Sequence, residues 1–278
     1  MLLKKLKTFI LASMQRAKNN PLVSVIMNCY NCENYLKIAI DSIFSQTYKN
    51  WEIIFYDNSS TDTSAIIAKS YNHKLIYYKS EHLVPLYSAR NLALNHASGD
   101  VVTFLDCDDV WTPDKLKLQI EQYLNGFLVI YGKFNFINKS GSDIKGVLNK
   151  YPVKNIFYFL MMRHNPISIG CIMLDRQLLN DYKFDSNYNL LGDFDLWVRL
   201  SCKYPFGFVD RVVELSRQHD DNLSLILKSH WKHEINYFIK KMFKTLPIRQ
   251  YPFLFIYFVR QKIIKVIFYL KKIKKSAA

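Results

Sequence analysis

Two rhythms of apolar and polar positions divide the first half of the chain. Short apolar runs at 22–27 ("LVSVIM"), 51–56 ("WEIIFY"), 74–78 and 101–105 read as buried strands. Between them, 33–44 sets Tyr35, Leu36, Ile38, Ala39, Ile40, Ile43 and Phe44 at helical spacing. Thr61 and Asp62 can cap a helix running to Tyr71, and 88–97 reads as another. This alternation predicts a Rossmann-like, mostly parallel, doubly wound sheet flanked by helices. After Pro113 the pattern loosens: a helix is predicted over 114–124, a hairpin within 127–137, a turn-rich loop at "NKSGSD" (138–143), helices at 155–162 and 193–202, and a strand at 206–215. From Tyr251 a C-terminal helical extension carries the apolar stripe Ile256, Val259, Ile263, Ile267 and Leu270, amid Arg260, Lys262, Lys265, Lys271, Lys272, Lys274 and Lys275. The expected division is a basic amphipathic segment at 1–20, an α/β domain at 21–220 and a basic helical tail at 221–278. Within the domain, the regular alternation fills 21–125 and the looser pattern 126–220.

Charge narrows the partners. A net charge of +15 over 278 residues points to an anionic partner: nucleic acid, nucleotide or an anionic membrane surface. Basic amphipathic helices lie in such membrane interfaces, whereas the alternative is a helix packed on its own domain with a solvated basic face. No run of about 18 apolar residues predicts a membrane span, and the short apolar patch in "MLLKKLKTFILASM" does not fit a signal peptide. The expected location is cytoplasmic, peripheral on the inner face of the cell membrane. Five scattered cysteines suit a reducing compartment and no disulfide framework. Cys29 and Cys32 form a C-x-x-C without a second pair, which argues against a zinc site; small residues in a loop are the first reading and a redox pair the second.

Ligands of open α/β sheets gather at the carboxyl ends of strands. Here those ends read "NCYN" (28–31), "YDNSSTD" (56–62) and "DCDD" (106–109), all rich in acceptors. No G-x-G-x-x-G follows the first strand, so the dinucleotide fingerprint is absent. Asp106-Cys107-Asp108 is a D-x-D whose carboxylates suit a hard divalent ion, Mn²⁺ or Mg²⁺, bridging to a diphosphate. The competing reading is an acidic turn, with Asp109 helping to cap the helix after Pro113. Asp57 can accept the N3–H of uracil or the N1–H of guanine, or can simply build an Asx-turn. Tyr30 offers an aromatic face to the same base, or packs on the surface.

The stretches "VSVIMNCYNCENYLKIAIDSIFSQTYKNWEIIFYDNSSTD" and "SARNLALNHASGDVVTFLDCDD" resemble the nucleotide-binding half of family 2 glycosyltransferases of the GT-A fold, the inverting, bacterial surface-glycan type. The resemblance covers about residues 21–125, and "GDFDLWVRL" (192–200) resembles the family's acidic catalytic segment. It implies a metal-dependent inverting hexosyl- or N-acetylhexosaminyl-transferase, moving a sugar from a nucleotide donor, expected to be a UDP-sugar, to a hydroxyl of a lipid-linked or cell-surface glycan. It places Tyr30, Asp57, Arg90 and Asp106 at the nucleotide, Asp106 and Asp108 at the metal, and Asp193 as the general base. "SRQHDDNLS" (216–224) resembles a further family segment, which adds His219 as a metal or phosphate contact, with Arg217 beside it. Two departures stand out: Asp57-Asn58-Ser59-Ser60 replaces the common Asp-Asp-Gly-Ser, and Gly192 stands where an acid often precedes the catalytic one. Asp195 and Trp197 read as structural and Arg199 as a surface residue.

Two other classes compete. A sugar-phosphate nucleotidylyltransferase would want a Gly-rich, Lys-bearing loop after the first strand, and 28–33 has neither residue. A nucleic-acid-binding protein should track a groove with basic and aromatic residues, whereas many of the basic residues cluster at the termini and the strand ends are acidic. Nucleic acid is therefore not an expected partner.

Overall fold

A computed structural model describes residues 20–144, 156–162 and 167–261. Its first half alternates as the pattern predicts: β1 (Val23–Cys29), α1 (Glu33–Phe44), β2 (Trp51–Asp57), α2 (Ser64–Lys69), β3 (Leu75–Lys79), α3 (Leu86–Leu94) and β4 (Val101–Phe104). Then follow β5 (Val110–Trp111), α4 (Lys115–Leu124), β6 (Val129–Ile137), β7 (Asp143–Ile144), α5 (Ile156–Met162), β8 (Ile172–Asp175), α6 (Leu178–Asp181), α7 (Gly192–Ser201) and β9 (Phe206–Arg217). The chain continues through α8 (Leu223–Ile226), α9 (Trp231–Thr245) and a helix, α10, at 251–261.

The sheet order is β3-β2-β1-β4-β8-β6-β9-β5, with β7 paired to β6. Strands β1 to β4, β6 and β9 run one way, and only β5, β7 and β8 oppose them. β1, β2 and β4 are buried almost throughout, as befits parallel strands covered on both faces. Their register puts Cys29 opposite Asp57 and Asp57 opposite Lys79, so the polar strand ends open on one edge of the sheet.

The hairpin predicted within 127–137 is instead one nine-residue strand. Gly132 is not at a turn: a Cβ there would come 2.6 Å from the Val213 side chain, so its smallness lets β9 approach. The chain reverses later, around Asn138 and Gly141, the latter at φ +89°, before β7.

The first part of the extension packs on the domain. Phe238 of α9 and Leu254 and Tyr257 of α10 are fully buried, and Phe194 of α7 meets Phe238 and Tyr257 at ring separations of 5.1 and 5.9 Å. Of the predicted stripe, Ile256 and Val259 are exposed, along with Phe255. Ile263, Ile267, Leu270 and the lysines from Lys262 onward lie outside the described residues, as does the segment 1–19.

Candidate active site

The loops after β1 and β2 are laced together. The Asn58 N–H donates to the Cys29 carbonyl (2.7 Å), the Asn31 N–H to Ser60 Oγ (3.1 Å), and the Cys32 N–H to Ser64 Oγ (2.9 Å). Glu33 and Asp62 cap each other's helix: the Glu33 N–H donates to Asp62, and the Thr63 N–H and hydroxyl donate to Glu33. Within this frame Asp57 is fully buried, one oxygen accepting the Ser60 N–H (2.7 Å) and the other the Tyr77 hydroxyl (2.5 Å). Asp57 thus closes a local turn through the N–H three residues on, one residue longer than an Asx-turn, whereas Tyr30 is 48% exposed. Ser59 sits at φ 68°, in the left-handed region where glycine costs least. Its hydroxyl donates to the Ser80 carbonyl (3.0 Å), which offsets part of that strain.

The three acids of "DCDD" go three separate ways. Asp106 takes Arg90 Nη2 at 2.6 Å, and Arg90 is 3% exposed. Burial alone would lower the guanidinium pKa, but Asp106, Tyr87 and Asp193 together raise it, so the cation is secure. Asp108 Oδ2 meets His219 Nε2 at 2.8 Å and Asn222 Nδ2 at 3.3 Å. Burial, and then the neighbouring Asp106, raise the Asp108 pKa. Asp109 turns inward and accepts the Arg217 N–H (2.7 Å) instead of capping a helix; burial, and then Asp108 and Glu214, push its pKa well up. The α4 N-cap is Asp114. Arg217 is itself buried, donating to the carbonyls of Asp108, Asn138 and Lys139.

Asp193, in the first turn of α7, is 8% exposed. Its Oδ1 accepts the Tyr87 hydroxyl (3.2 Å) and the Phe194 N–H (2.7 Å). Tyr87 lies under Arg90, 5.3 Å from guanidinium carbon to ring centre, so a continuous chain runs Asp193–Tyr87–Arg90–Asp106. Burial, and then Asp193, keep the Tyr87 phenol firmly protonated. Gly192 is explained by the same ring: a Cβ at that position would lie 2.6 Å from Tyr87 Cδ2 and Cε2. An acid there would displace Tyr87.

The sequence model of Glycosyl transferase family 2 matches residues 24–183, more than half of the chain. The chain belongs to that family. It is 32% identical over 182 residues to the Escherichia coli UDP-Glc:alpha-D-GlcNAc-diphosphoundecaprenol beta-1,3-glucosyltransferase WfgD, covering 64% of this chain and 69% of that one. With the E. coli enzyme of the same description, WfaP, identity is 34% over 183 residues, 66% of this chain and 71% of that one. The fold matches S. aureus TarS in complex with UDP (TM-score 0.63, 20% identity, 81% of this chain and 66% of that one). It also matches the mannosyltransferase PcManGT from Pyrobaculum calidifontis in complex with GDP-Man and Mn²⁺ (TM-score 0.63, 16% identity, 90% of this chain and 75% of that one). These neighbours are GT-A glycosyltransferases, and the mixed, mostly parallel sheet of this chain is theirs.

Several residues that position this glycosyltransferase's acids carry no motif. Tyr77 and Tyr87 hold Asp57 and Asp193. Asn91 exchanges two hydrogen bonds with the Phe184 backbone, and the Phe184 ring packs against Tyr87, Phe104 and Trp197. Glu234, 2% exposed, accepts the N–H groups of Asn189, Leu190 and Leu191 (2.8–3.0 Å), fixing the turn that delivers Asp193. Asp195 is fully buried between Arg199 and Lys241, both at 2.8 Å, and Trp197 is core. Arg199 is not a free surface residue: it is partly buried and also donates to the Lys183 carbonyl. A helix-period sequence search does not find such partners, because they come from elements far apart in the chain.

Proposed function

We propose that this chain is a metal-dependent inverting transferase that moves a sugar from UDP to a hydroxyl of a lipid-linked glycan, with Asp193 as base. The observation that carries the reading is the chain Asp193–Tyr87–Arg90–Asp106, which joins the acid of α7 to the carboxylates at the strand ends. The E. coli relatives use UDP-Glc and a diphosphoundecaprenol-linked GlcNAc, which supports that donor and acceptor class.

In this reading Tyr30 stacks on or borders the base, and Asp57, now fully buried with its oxygens on Ser60 and Tyr77, accepts the imide N–H through a remaining lone pair once its loop opens to the base. Arg90 is too buried to swing and holds Asp106 toward the ribose or sugar. A divalent cation fits the donor set of Asp108 and His219: the two groups are 2.8 Å apart, and one carboxylate plus one imidazole leaves positions for diphosphate oxygens and water. Bound there, Mn²⁺ or Mg²⁺ would neutralise the charge that grows on the departing diphosphate. His219 Nδ1 is buried without a hydrogen-bond partner, 3.9 Å from Asp221.

Asp193 takes the proton of the acceptor hydroxyl as the new bond forms, a contribution of about 10²–10⁴ in rate. The Tyr87 hydroxyl and the Phe194 N–H fix its orientation. In-line attack opposite the leaving UDP inverts the anomeric centre, and no covalent sugar–enzyme intermediate is needed.

Among the described residues no helix is long and apolar enough to cross a membrane. Phe255, Ile256 and Val259 form an exposed apolar strip on α10, while Leu254 and Tyr257 anchor the helix to the domain. We assign that strip, with the basic residues that follow it in sequence, to the anionic membrane surface where a lipid-linked acceptor resides.

The test is a calorimetric titration of UDP with and without Mn²⁺, with GDP and CDP as controls. Metal-dependent UDP binding that Asp108→Ala abolishes is expected. GDP binding in place of UDP would move the donor, and absence of nucleotide binding under every metal condition would overturn the reading.

A further inference from the structure

The fold gathers three cysteines that the sequence scatters. Cys29 ends β1, Cys32 is the residue before α1, and Cys107 is the middle residue of the D-x-D; their sulfurs all lie within 4.8 Å of one another. Among the described residues this is the one group of three or more His, Cys, Asp or Glu side chains gathered that tightly. None of the three thiols has a part in the proposed sugar transfer.

The arrangement fits a metal better than a disulfide alone. Three thiolates at about 2.3 Å from a common ion stand roughly 3.8–4.0 Å apart, so the sulfurs need to close by at most about 1 Å. Besides one another, the thiols make weak sulfur contacts: Cys107 Sγ to the Asn28 carbonyl (3.2 Å), Cys32 Sγ to the Tyr30 carbonyl (3.4 Å), and Cys29 Sγ beside Ser60 Oγ (3.8 Å). Cys29 and Cys107 are buried at 1% and 2% exposure, whereas Cys32 is only partly covered and gives an ion its way in. Sulfur ligands select soft, closed-shell ions and reject Mg²⁺ and Mn²⁺, which belong with the carboxylates.

We propose that Cys29, Cys32 and Cys107 form a three-thiolate site for a soft cation, Zn²⁺ or Cu⁺, next to the carboxylate site and chemically distinct from it. The ion displaces three thiol protons and leaves every sulfur's oxidation state unchanged. Its position couples two loops: Tyr30 and Asn31 lie between two of the ligands, and Asp106 and Asp108 flank the third. Occupation would therefore pin the loop that carries Tyr30 against the D-x-D. The inference does not depend on the donor being UDP or on transfer taking place.

The experiment titrates the reduced full-length chain with Cd²⁺, reading the ultraviolet thiolate-to-metal charge-transfer band, and then competes with Zn²⁺ and, anaerobically, with Cu⁺. A band saturating at one Cd²⁺ per chain is expected, displaced by Cu⁺ or by a large excess of Zn²⁺, lost in Cys32→Ser, and retained in both Cys202→Ser and Asp108→Ala. No band in the native chain, or an undiminished band in Cys32→Ser, would overturn the site. Loss of the band in Asp108→Ala would show that the sulfur-bound ion also needs the carboxylate, and would overturn a three-thiolate site distinct from it. Should Cys32→Ser fail to fold, as judged by circular dichroism, the native chain decides by alkylation: Cd²⁺ should protect Cys32 but not Cys202 from iodoacetamide, and equal labelling would refute the proposal.

Discussion

Asp57 and Asp193 are both buried carboxylates that each take one nearby backbone N–H and one tyrosine hydroxyl, yet the turns that carry them are fixed in different ways. Asp57 stands at the end of a buried parallel strand, and one of its two hydrogen bonds comes from three residues ahead. Its loop is stitched to the loop after β1 by short polar side chains and backbone groups. Asp193 depends on partners from distant elements: Tyr87 on α3, and, through the turn before it, Glu234 on α9. The frame of the Asp57 turn is therefore mainly a property of local strand–turn–helix units, and the turn before Asp193 a property of tertiary packing. The Asp57 turn should survive perturbations that dismantle the turn before Asp193.

The largest expected effect on the donor side is Asp108→Ala, which should abolish metal-dependent UDP binding in calorimetry while the thermal unfolding midpoint hardly moves. On the base side, Gly192→Ala should be the severest packing change. A Cβ 2.6 Å from the Tyr87 ring forces that ring aside, for about 1–3 kcal/mol in urea unfolding. Moving Tyr87 misplaces Asp193, and turnover should fall by about 10²-fold. UDP affinity should change far less than turnover; equal loss of both would show that the two sides are not separable.

A gentler probe of the same side is Glu234→Gln. The new amide sets an N–H group against the N–H groups of residues 189–191, at a cost of about 1–3 kcal/mol. Steady-state kinetics should show a lower kcat with UDP affinity intact. The smallest effect concerns acid. Burial alone would raise the Asp185 pKa, but Lys241, the Asn187 N–H and Tyr237 together lower it to about 2. A depressed carboxylate contributes stability that is complete above its unfolded value of about 3.9 and is lost as the pH falls through about 2. Asp185→Asn should therefore flatten the fall of the unfolding midpoint between about pH 4 and pH 2.

The same contrast explains what was legible in the sequence. Continuous apolar runs and helical spacing marked β1 to β4 and their helices to within a few residues, because each element's pattern is local. The acidic strand ends were legible for the same reason. What Asp109 does was not: its partner, the Arg217 N–H, is 108 residues away, and so it reads as a cap. The hairpin expected at 127–137 failed because Gly132 serves a strand–strand contact with Val213 and not a turn. Tyr87 and Glu234 carry no motif, and only the packed fold shows what they hold. Cys29 and Cys32 read as an isolated C-x-x-C because the register of β1 and β4, not spacing, brings Cys107 to them.

The division of labour is tested most directly by titrating UDP, with Mn²⁺ present, into Asp193→Asn and the native chain, alongside transfer assays with a UDP-sugar and a lipid-linked GlcNAc acceptor. Binding equal to that of the native chain, with transfer lowered by about 10²–10⁴, is the expected result. Loss of UDP binding in Asp193→Asn, or transfer at the native rate, would contradict the assignment of Asp193 as the base held apart from the donor side.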